Sequence, residues 1–412
     1  MISPDMKLSY IECRRILKER LAEPAPGRIQ LLSGPRQVGK TTLLLELAGS
    51  MGTRAIYAAA DGPEASVPGF WERLWTRAEQ VAEKQGAAVV LLDEAHLLHD
   101  WSSRLKGEWD RLRRRRTPVH IVATGSSSLR LGAGSRESLA GRFERLTLSH
   151  WSASSLAKVF KLPEAEAVET VVRMGAYPGA IGLRNDIQRW MAYVRDSIVE
   201  PAIGRDILAL AAVRKPAVLR QVFGVAASSP AQIVSLQKIL RQLQDAGAIE
   251  TVAHYLSLLE EAYLVASIPK HSPRQARRRS SPPKLVTLSN ALLTAVDPAG
   301  IPNLTRERER SGRWIENACL AHAWNSGQTV TYWREEPLEV DAVIEGSWGS
   351  WAVEIKTGAI QATDLRGLLE FTGRFGHRPL LVCDETGLVA AKRVGIDAIP
   401  WQRFLLAGPP PF

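Results

Sequence analysis

Short apolar runs alternate with helix-length amphipathic stretches over residues 29–149. The runs are Ile29-Gln30-Leu31-Leu32, Arg54-Ala55-Ile56-Tyr57, Ala88 to Leu92 and His120-Ile121-Val122-Ala123. Largely apolar on consecutive positions, they read as strands of a parallel sheet covered by crossover helices. From about 150 to 268 the apolar spacing turns helical. Residues 230–268 there hold two amphipathic helices separated by Asp245-Ala246-Gly247. The second is predicted over about Ile249 to Tyr263, with Val252, Leu256, Leu259 and Tyr263 facing a core and Thr251, His254 and Ser257 outward. Residues 271–284, HSPRQARRRSSPPK, lack an apolar pattern and read as a basic linker or exposed loop. A helix from Arg313 to Trp324 follows, then short strands with turns at Gly346-Ser347-Trp348-Gly349 and around Gly358, then a helix from Gln361 to Phe371. The expected division is therefore 1–150, 151–270, 271–284 and 285–412.

A chain of 412 residues suits two or three such domains. No apolar run approaches the ~18–20 residues of a membrane span. The N-terminal MISPDMKLSYIECRRILKERL reads as an amphipathic helix rather than a signal peptide. Cys13, Cys319 and Cys383 are scattered, with neither metal-ligand spacing nor a disulfide framework. These features point to a cytoplasmic protein away from membranes. A net charge of +10 and a pI near 9.7 favour a polyanionic partner, nucleic acid above all and DNA more than RNA. The excess concentrates in Arg111 to Arg116 and Arg274 to Arg279. A solvated helix face and a polar linker are the alternative reading of these two blocks.

Gly34-Pro35-Arg36-Gln37-Val38-Gly39-Lys40-Thr41 matches the phosphate-loop pattern GxxxxGK[ST] in full. It follows an apolar strand and opens a helix at Thr42, the context in which the pattern carries chemistry. Its glycines let backbone N–H groups and a helix N-terminus wrap phosphates. Lys40 would reach the β- and γ-phosphates of ATP and Thr41 would hold Mg²⁺. Val89-Val90-Leu91-Leu92-Asp93-Glu94 is a buried strand ending in two carboxylates. Asp93 would hold Mg²⁺ through water, and Glu94 would polarise the attacking water. His96 either senses the γ-phosphate or caps a helix. The strand from His120 ends in the hydroxyls of Thr124, Ser126, Ser127 and Ser128. Ser126 is the candidate γ-phosphate reader; an N-cap is the alternative. In Glu137-Ser138-Leu139-Ala140-Gly141-Arg142-Phe143, Arg142, with Arg136 second, either serves a neighbouring subunit's site or makes an intrachain salt bridge.

Together, GPRQVGKTT, LLDEAH, ATGSSS, SLAGRFERLTL, MGAYPGAI, Gly204-Arg205-Asp206-Ile207, EVDAVI and VEIKTG resemble a prokaryotic family. In it an AAA+ ATPase joins a C-terminal PD-(D/E)xK nuclease-like domain. The resemblance spans nearly the whole chain. It departs at Asp93-Glu94-Ala95-His96, where the family more often has a glutamine near position 96. It implies an α/β fold class: a P-loop AAA+ (ASCE) module, a helical and winged-helix middle, and a C-terminal restriction-endonuclease-like α/β domain. It also implies assembly into a homo-oligomer.

The last segment carries the second chemistry. Glu354 and Lys356 share one strand face, and twelve residues intervene between Asp341 and Glu354 across the GSWGS turn. Glu316 lies upstream on a helix. In such a nuclease, Asp341, Glu354 and the Ile355 carbonyl would hold Mg²⁺, or Mn²⁺ in its place. Lys356 would orient the attacking water, and Glu316 would bind a second ion or steer water. The function expected from the sequence is ATP hydrolysis coupled to Mg²⁺-dependent phosphodiester cleavage. The alternatives are an ATP-dependent DNA-binding switch with a non-cleaving nuclease-like fold, or a DNA translocase or helicase.

Overall fold

The computed structural model describes residues 6–125, 139–208, 213–244, 247–272 and 281–411. It divides into two units, Met1–Ser149 and His150–Phe412. Ser126, Arg136 and the arginines at 274, 277, 278 and 279 lie outside the described residues.

The first unit contains strands β1 (Met6–Leu8), β2 (Ile29–Ser33), β3 (Ala55–Ala59), β4 (Ala88–Asp93), β5 (Val119–Thr124) and β6 (Phe143–Leu148). They form one sheet in the order β1-β6-β2-β5-β4-β3, every neighbouring pair parallel. β2, β4 and β5 are buried along their whole length, as their largely apolar runs predict, with Gln30 and His120 buried among the apolar residues. β1 and β6 were not among the predicted strands. β1 has only three residues, and β6 opens with Phe143-Glu144-Arg145, which are only partly buried. The helix Phe70–Gln85 buries Trp71, Leu74, Trp75, Ala78 and Ala82 on one stripe. The helix Trp101–Arg115 buries Trp101, Leu105, Trp109 and Leu112 and turns Arg113 to Arg115 to solvent. That block is exposed, apart from Arg111, which pairs with Glu79 and Glu108.

The second unit begins with helices, among them Ala153–Phe160 and Glu164–Met174. Two π-helical stretches follow, Val194–Val199 and Ala202–Ile207, the second carrying Gly204-Arg205-Asp206-Ile207. Then come the helix Pro216–Ala227, β7 (Gln232–Ile233), helices Leu236–Gln242 and Ile249–Glu261, β8 (Val265–Ile268) and β9 (Lys284–Thr287). These three strands pair antiparallel in the order β7-β9-β8. Val252, Leu256, Leu259 and Tyr263 are buried, and His254 and Ser257 exposed, as the helical spacing predicts. Lys284, the last residue of the expected loop, is instead the first residue of β9 and is buried.

The helix Arg308–Asn325 leads into a five-stranded sheet: β10 (Thr329–Glu335), β11 (Leu338–Gly346), β12 (Gly349–Lys356), β13 (Arg378–Cys383) and β14 (Asp397–Pro400), in sequence order. The first three strands are antiparallel neighbours, and β12, β13 and β14 run parallel. A parallel pair needs a crossover, and the helix Arg366–Phe375 supplies it between β12 and β13. Gly367 lets that helix lie against β11, because a Cβ there would sit 2.2 Å from the Glu339 carbonyl oxygen.

In this unit His150 is buried and His322 is partly buried, its ring enclosed by Trp348 and Phe404. Burial pushes both imidazoles down to about 4, although the bond to the Tyr263 carbonyl at 3.0 Å partly opposes the shift for His150. Each therefore favours the fold fully above its unfolded value of about 6.5, and that stabilisation fades as pH falls towards 4. The expected outcome is a midpoint of urea unfolding that drops between pH 6.5 and 4, with a shallower drop in His322→Phe. Circular dichroism at stepped pH measures it.

Candidate nucleotide site and acidic cluster

The sheet order of the first unit sets the nucleotide site. β5 lies between β2, which feeds the phosphate loop, and β4, which ends in the acidic pair. Leu32 pairs with Thr124 across β2 and β5, and Leu92 with Ala123 across β4 and β5. The loop residues Gly34 to Gly39 and the first turn of the helix Lys40–Met51 therefore stand beside Asp93 and Glu94.

The loop fits phosphate. Gly34 adopts φ +149°, and a Cβ there would meet the Leu148 carbonyl oxygen at 2.1 Å; Gly39 caps the helix at φ +95°. Both conformations demand glycine. Lys40 is buried, and its ammonium donates to the Gly34 and Pro35 carbonyls at 3.1 and 2.7 Å, which curls it over its own loop. Val38 is fully buried and anchors the turn, while Thr41 and Thr42 are exposed at the helix start. A helix N-terminus with this lysine is an anion site.

Asp93 is held from three sides. Its carboxylate accepts from the Glu94 N–H at 3.1 Å, from the Thr124 hydroxyl and from the Tyr57 hydroxyl at 3.0 Å. A carboxylate has about four lone-pair positions, so roughly one remains. That suits a water-mediated hold on Mg²⁺, with Thr41 as the direct candidate ligand. Burial, then the Asp93 charge, pushes the Tyr57 hydroxyl well above its ordinary value, so it stays a donor. Glu94 sits in the left-handed region at φ 49°, an uncommon conformation for a side-chain-bearing residue. Its N–H is shared between Asp93 and the Thr124 hydroxyl at 3.1 Å, which stabilises that conformation. His96 Nδ1 lies 3.3 Å from the Glu94 carboxylate. Arg142 makes a two-pronged bond to Asp110 at 2.8 and 3.2 Å within its own chain. Of the two readings of Arg142, that geometry is the intrachain salt bridge.

Thr124 and Tyr57 are site residues that the motif reading passed over. The signal for Thr124 is a hydroxyl at the end of a largely apolar strand. Tyr57 gives no local signal; only the pairing of β3 with β4 brings it to Asp93.

The second constellation lies in the other unit. Ala342 pairs with Val353 across β11 and β12, so Asp341 and Glu354 are neighbours on adjacent strands. Lys356 Nζ lies 2.8 Å from Glu354 and 3.9 Å from Asp341, and the Ile355 N–H donates to Asp341 Oδ2 at 3.0 Å. Glu316 is also brought in, but through a residue the sequence reading had left in a loop. Lys284 Nζ donates to Glu316 Oε1 at 2.7 Å, to Asp341 Oδ1 at 3.1 Å and to the Asp341 carbonyl at 3.2 Å. Glu339 is 3.8 Å away. Burial would depress the Lys284 ammonium, but Asp341 and Glu316 outweigh it and hold it above its ordinary value. Burial, reinforced by Asp341, raises Glu354 to about 8, against the pull of Lys356. Burial likewise raises Glu316, against Lys284. Asp341 stays low, because Lys284 and Lys356 outweigh its burial.

Lys284 occupies the Glu316 and Asp341 side of this cluster, while the buried Glu354 Oε2 has no hydrogen-bond partner. The oxygens of Asp341 and Glu316 that would ligate Mg²⁺ or Mn²⁺ already accept from an ammonium that cannot reach solvent. Among the described residues, no group of three or more His, Cys, Asp or Glu has the geometry of a metal site. The metal role expected of Asp341, Glu354 and the Ile355 carbonyl would require these groups to exchange their present partners. Glu354 faces Lys356, Asp341 faces Lys284, and Ile355 contributes its N–H rather than its carbonyl.

Residues 26–156 match the family model of an AAA domain. Residues 165–304 and 311–404 match two models described as domains of unknown function. Two uncharacterized proteins, of Mycobacterium tuberculosis and Mycobacterium bovis, are 26% identical over 339 residues, covering 80% of this chain and 70% of each of them. A solved Walker-type ATPase of Pyrococcus abyssi superposes with a TM-score of 0.49 at 15% identity, over 72% of this chain and 99% of that one. With the loop geometry and the parallel sheet, the AAA match makes the first unit an AAA-type P-loop ATPase module. Among the described residues no helix is long and apolar enough to cross a membrane.

Replacing Thr124 by the nearly isosteric Val removes a donor to Asp93 and an acceptor for the Glu94 N–H. The expected cost is about 1.5–3 kcal/mol of stability, the range for hydrogen bonds to charged groups. Slower phosphate release from ATP is expected with it. Urea unfolding and a phosphate assay read the two effects.

Proposed function

We propose that this chain is an ATP-hydrolysing switch whose C-terminal region is a nuclease-like fold that grips nucleic acid, DNA in preference to RNA. The observation that carries the first half is the meeting of Lys40, Asp93, Glu94 and Thr124 at one end of the parallel sheet. Lys40 and the loop N–H groups bind the nucleotide phosphates. Asp93, braced by Thr124 and Tyr57, holds bound water in place, and Glu94 polarises the water that attacks. Mg²⁺, when bound, neutralises charge on the β- and γ-phosphates.

The second half is supported by element order. A helix bearing Glu316, then β11 with Asp341, β12 with Glu354 and Lys356, a helix and β13 is the succession of a PD-(D/E)xK core. Upstream, the order helix, β7, helix, helix, β8, β9 is that of a winged helix. Glu260 and Glu261 on its last helix oppose phosphate contact, so that helix is assigned to packing. Assembly through the AAA module is part of the proposal, and Arg142 would have to leave Asp110 to act on a neighbouring subunit.

Phosphodiester cleavage is the second reading, favoured by the convergence of Glu316, Asp341, Glu354 and Lys356. Duplex, single-stranded and branched DNA, and RNA, incubated with Mg²⁺ or Mn²⁺ and with or without ATP, separate the two. Binding without cutting, strengthened or weakened by ATP, is expected. Cutting that is lost in Asp341→Ala would establish the nuclease instead. For the ATPase, Lys40→Ala is expected to abolish nucleotide binding. Glu94→Gln should retain binding and lose roughly 10²-fold or more in turnover, in line with removal of a general base.

A further inference from the structure

We infer that Lys284 is the resident cation of the acidic cluster, a built-in ammonium standing where a divalent ion would otherwise be held. Three observations converge. The ammonium has three N–H groups, and all three are used, on Glu316, on the Asp341 carboxylate and on the Asp341 carbonyl. Its position is fixed from behind, because Lys284 opens β9 and pairs with Ile268 of β8 and Ile233 of β7. Its side chain is only 2% exposed, so no rotation returns the charge to water.

The carboxylates need a cation. Glu316, Asp341 and Glu354 crowd one buried volume, and uncompensated charge there is costly. Lys356 neutralises the Glu354 side, and Lys284 the Glu316 and Asp341 side. A divalent ion placed between the same oxygens would sit against a fixed positive charge. The Glu316 and Asp341 side is therefore neutralised without metal, and the Glu354 Oε2 is the one oxygen of the three carboxylates that is buried without a hydrogen-bond partner. The cation is also a tether. It comes from the three-stranded sheet, while Glu316 and Asp341 belong to the helix Arg308–Asn325 and β11. The same hairpin is further tied to β10: Tyr332 donates its N–H to the Pro269 carbonyl at 3.1 Å and its hydroxyl to the Pro282 carbonyl at 2.5 Å. An ion drawn from solvent would leave that join dependent on metal supply; a lysine does not.

The test is Mn²⁺ titration of the nucleotide-free full chain by calorimetry, with thermal unfolding alongside. Asp341→Asn arms isolate any binding at this cluster from binding at the phosphate loop. Wild-type protein is expected to show no Mn²⁺ binding or melting shift that Asp341→Asn removes. Lys284→Ala is expected to gain a Mn²⁺ site, with a melting point raised by Mn²⁺, and to lose both when Asp341→Asn is added. Asp341-dependent Mn²⁺ binding in the wild type would overturn the inference, and so would a folded Lys284→Ala that gains none. If Lys284→Ala does not fold, Lys284→Gln with Glu316→Gln, which keeps the charge balance, is expected to fold without metal. Metal-dependent folding of that double variant would likewise overturn the inference. These readouts use no nucleic acid, so they stand or fall separately from the proposed grip.

Discussion

In the second unit a largely buried charge balance ties three elements together. An ammonium without access to water must find oxygens, and buried carboxylates must find a cation. Lys284 on β9, Glu316 on the helix Arg308–Asn325 and Asp341 on β11 meet both demands at once. Removing one member of such a set typically costs about 3–5 kcal/mol, a large share of a domain's net stability. The interaction is thus as much a folding constraint as a chemical site. It holds the small antiparallel sheet to the larger one, and it sets the protonation of its neighbours.

The nucleotide site solves a different problem. There the sheet order does the positioning, because β5 separates the phosphate-loop strand from the acidic strand by one strand width. Thr124 therefore bonds Asp93 and Glu94 together, while Tyr57 closes the far side. A left-handed Glu94 persists because both acceptors of its N–H are fixed by neighbouring strands. Rigid secondary structure carries the donors, and the carboxylate that polarises water sits at its edge.

The two sites differ in what they leave open. Around Asp93 an acceptor position remains for water, and Thr41 is exposed. Around Asp341 the carboxylate is taken up by Lys284, the Ile355 N–H and the approach of Lys356. One site is arranged to exchange a metal–nucleotide complex, the other to stay as it is.

Much of this was legible in the residues alone. Largely apolar runs determined β2, β4 and β5, since a strand buried on both faces needs no polar side. The phosphate loop was legible because glycine, lysine and threonine at that spacing have few other uses. The GSWGS turn and the alternation around Asp341 and Glu354 determined the β11–β12 hairpin, as a period of two puts both carboxylates on one face. What the chain could not declare was long-range. Tyr57 reaches Asp93 only through the β3–β4 pairing, and Lys284 reaches Asp341 only because β9 packs against the helix Arg308–Asn325, far from it in sequence. A lysine following a run of arginines, serines and prolines looks like one more solvated charge, and local sequence carries no record of burial. Tertiary structure alone decided that this charge would be enclosed among carboxylates, and with it the nature of the second site.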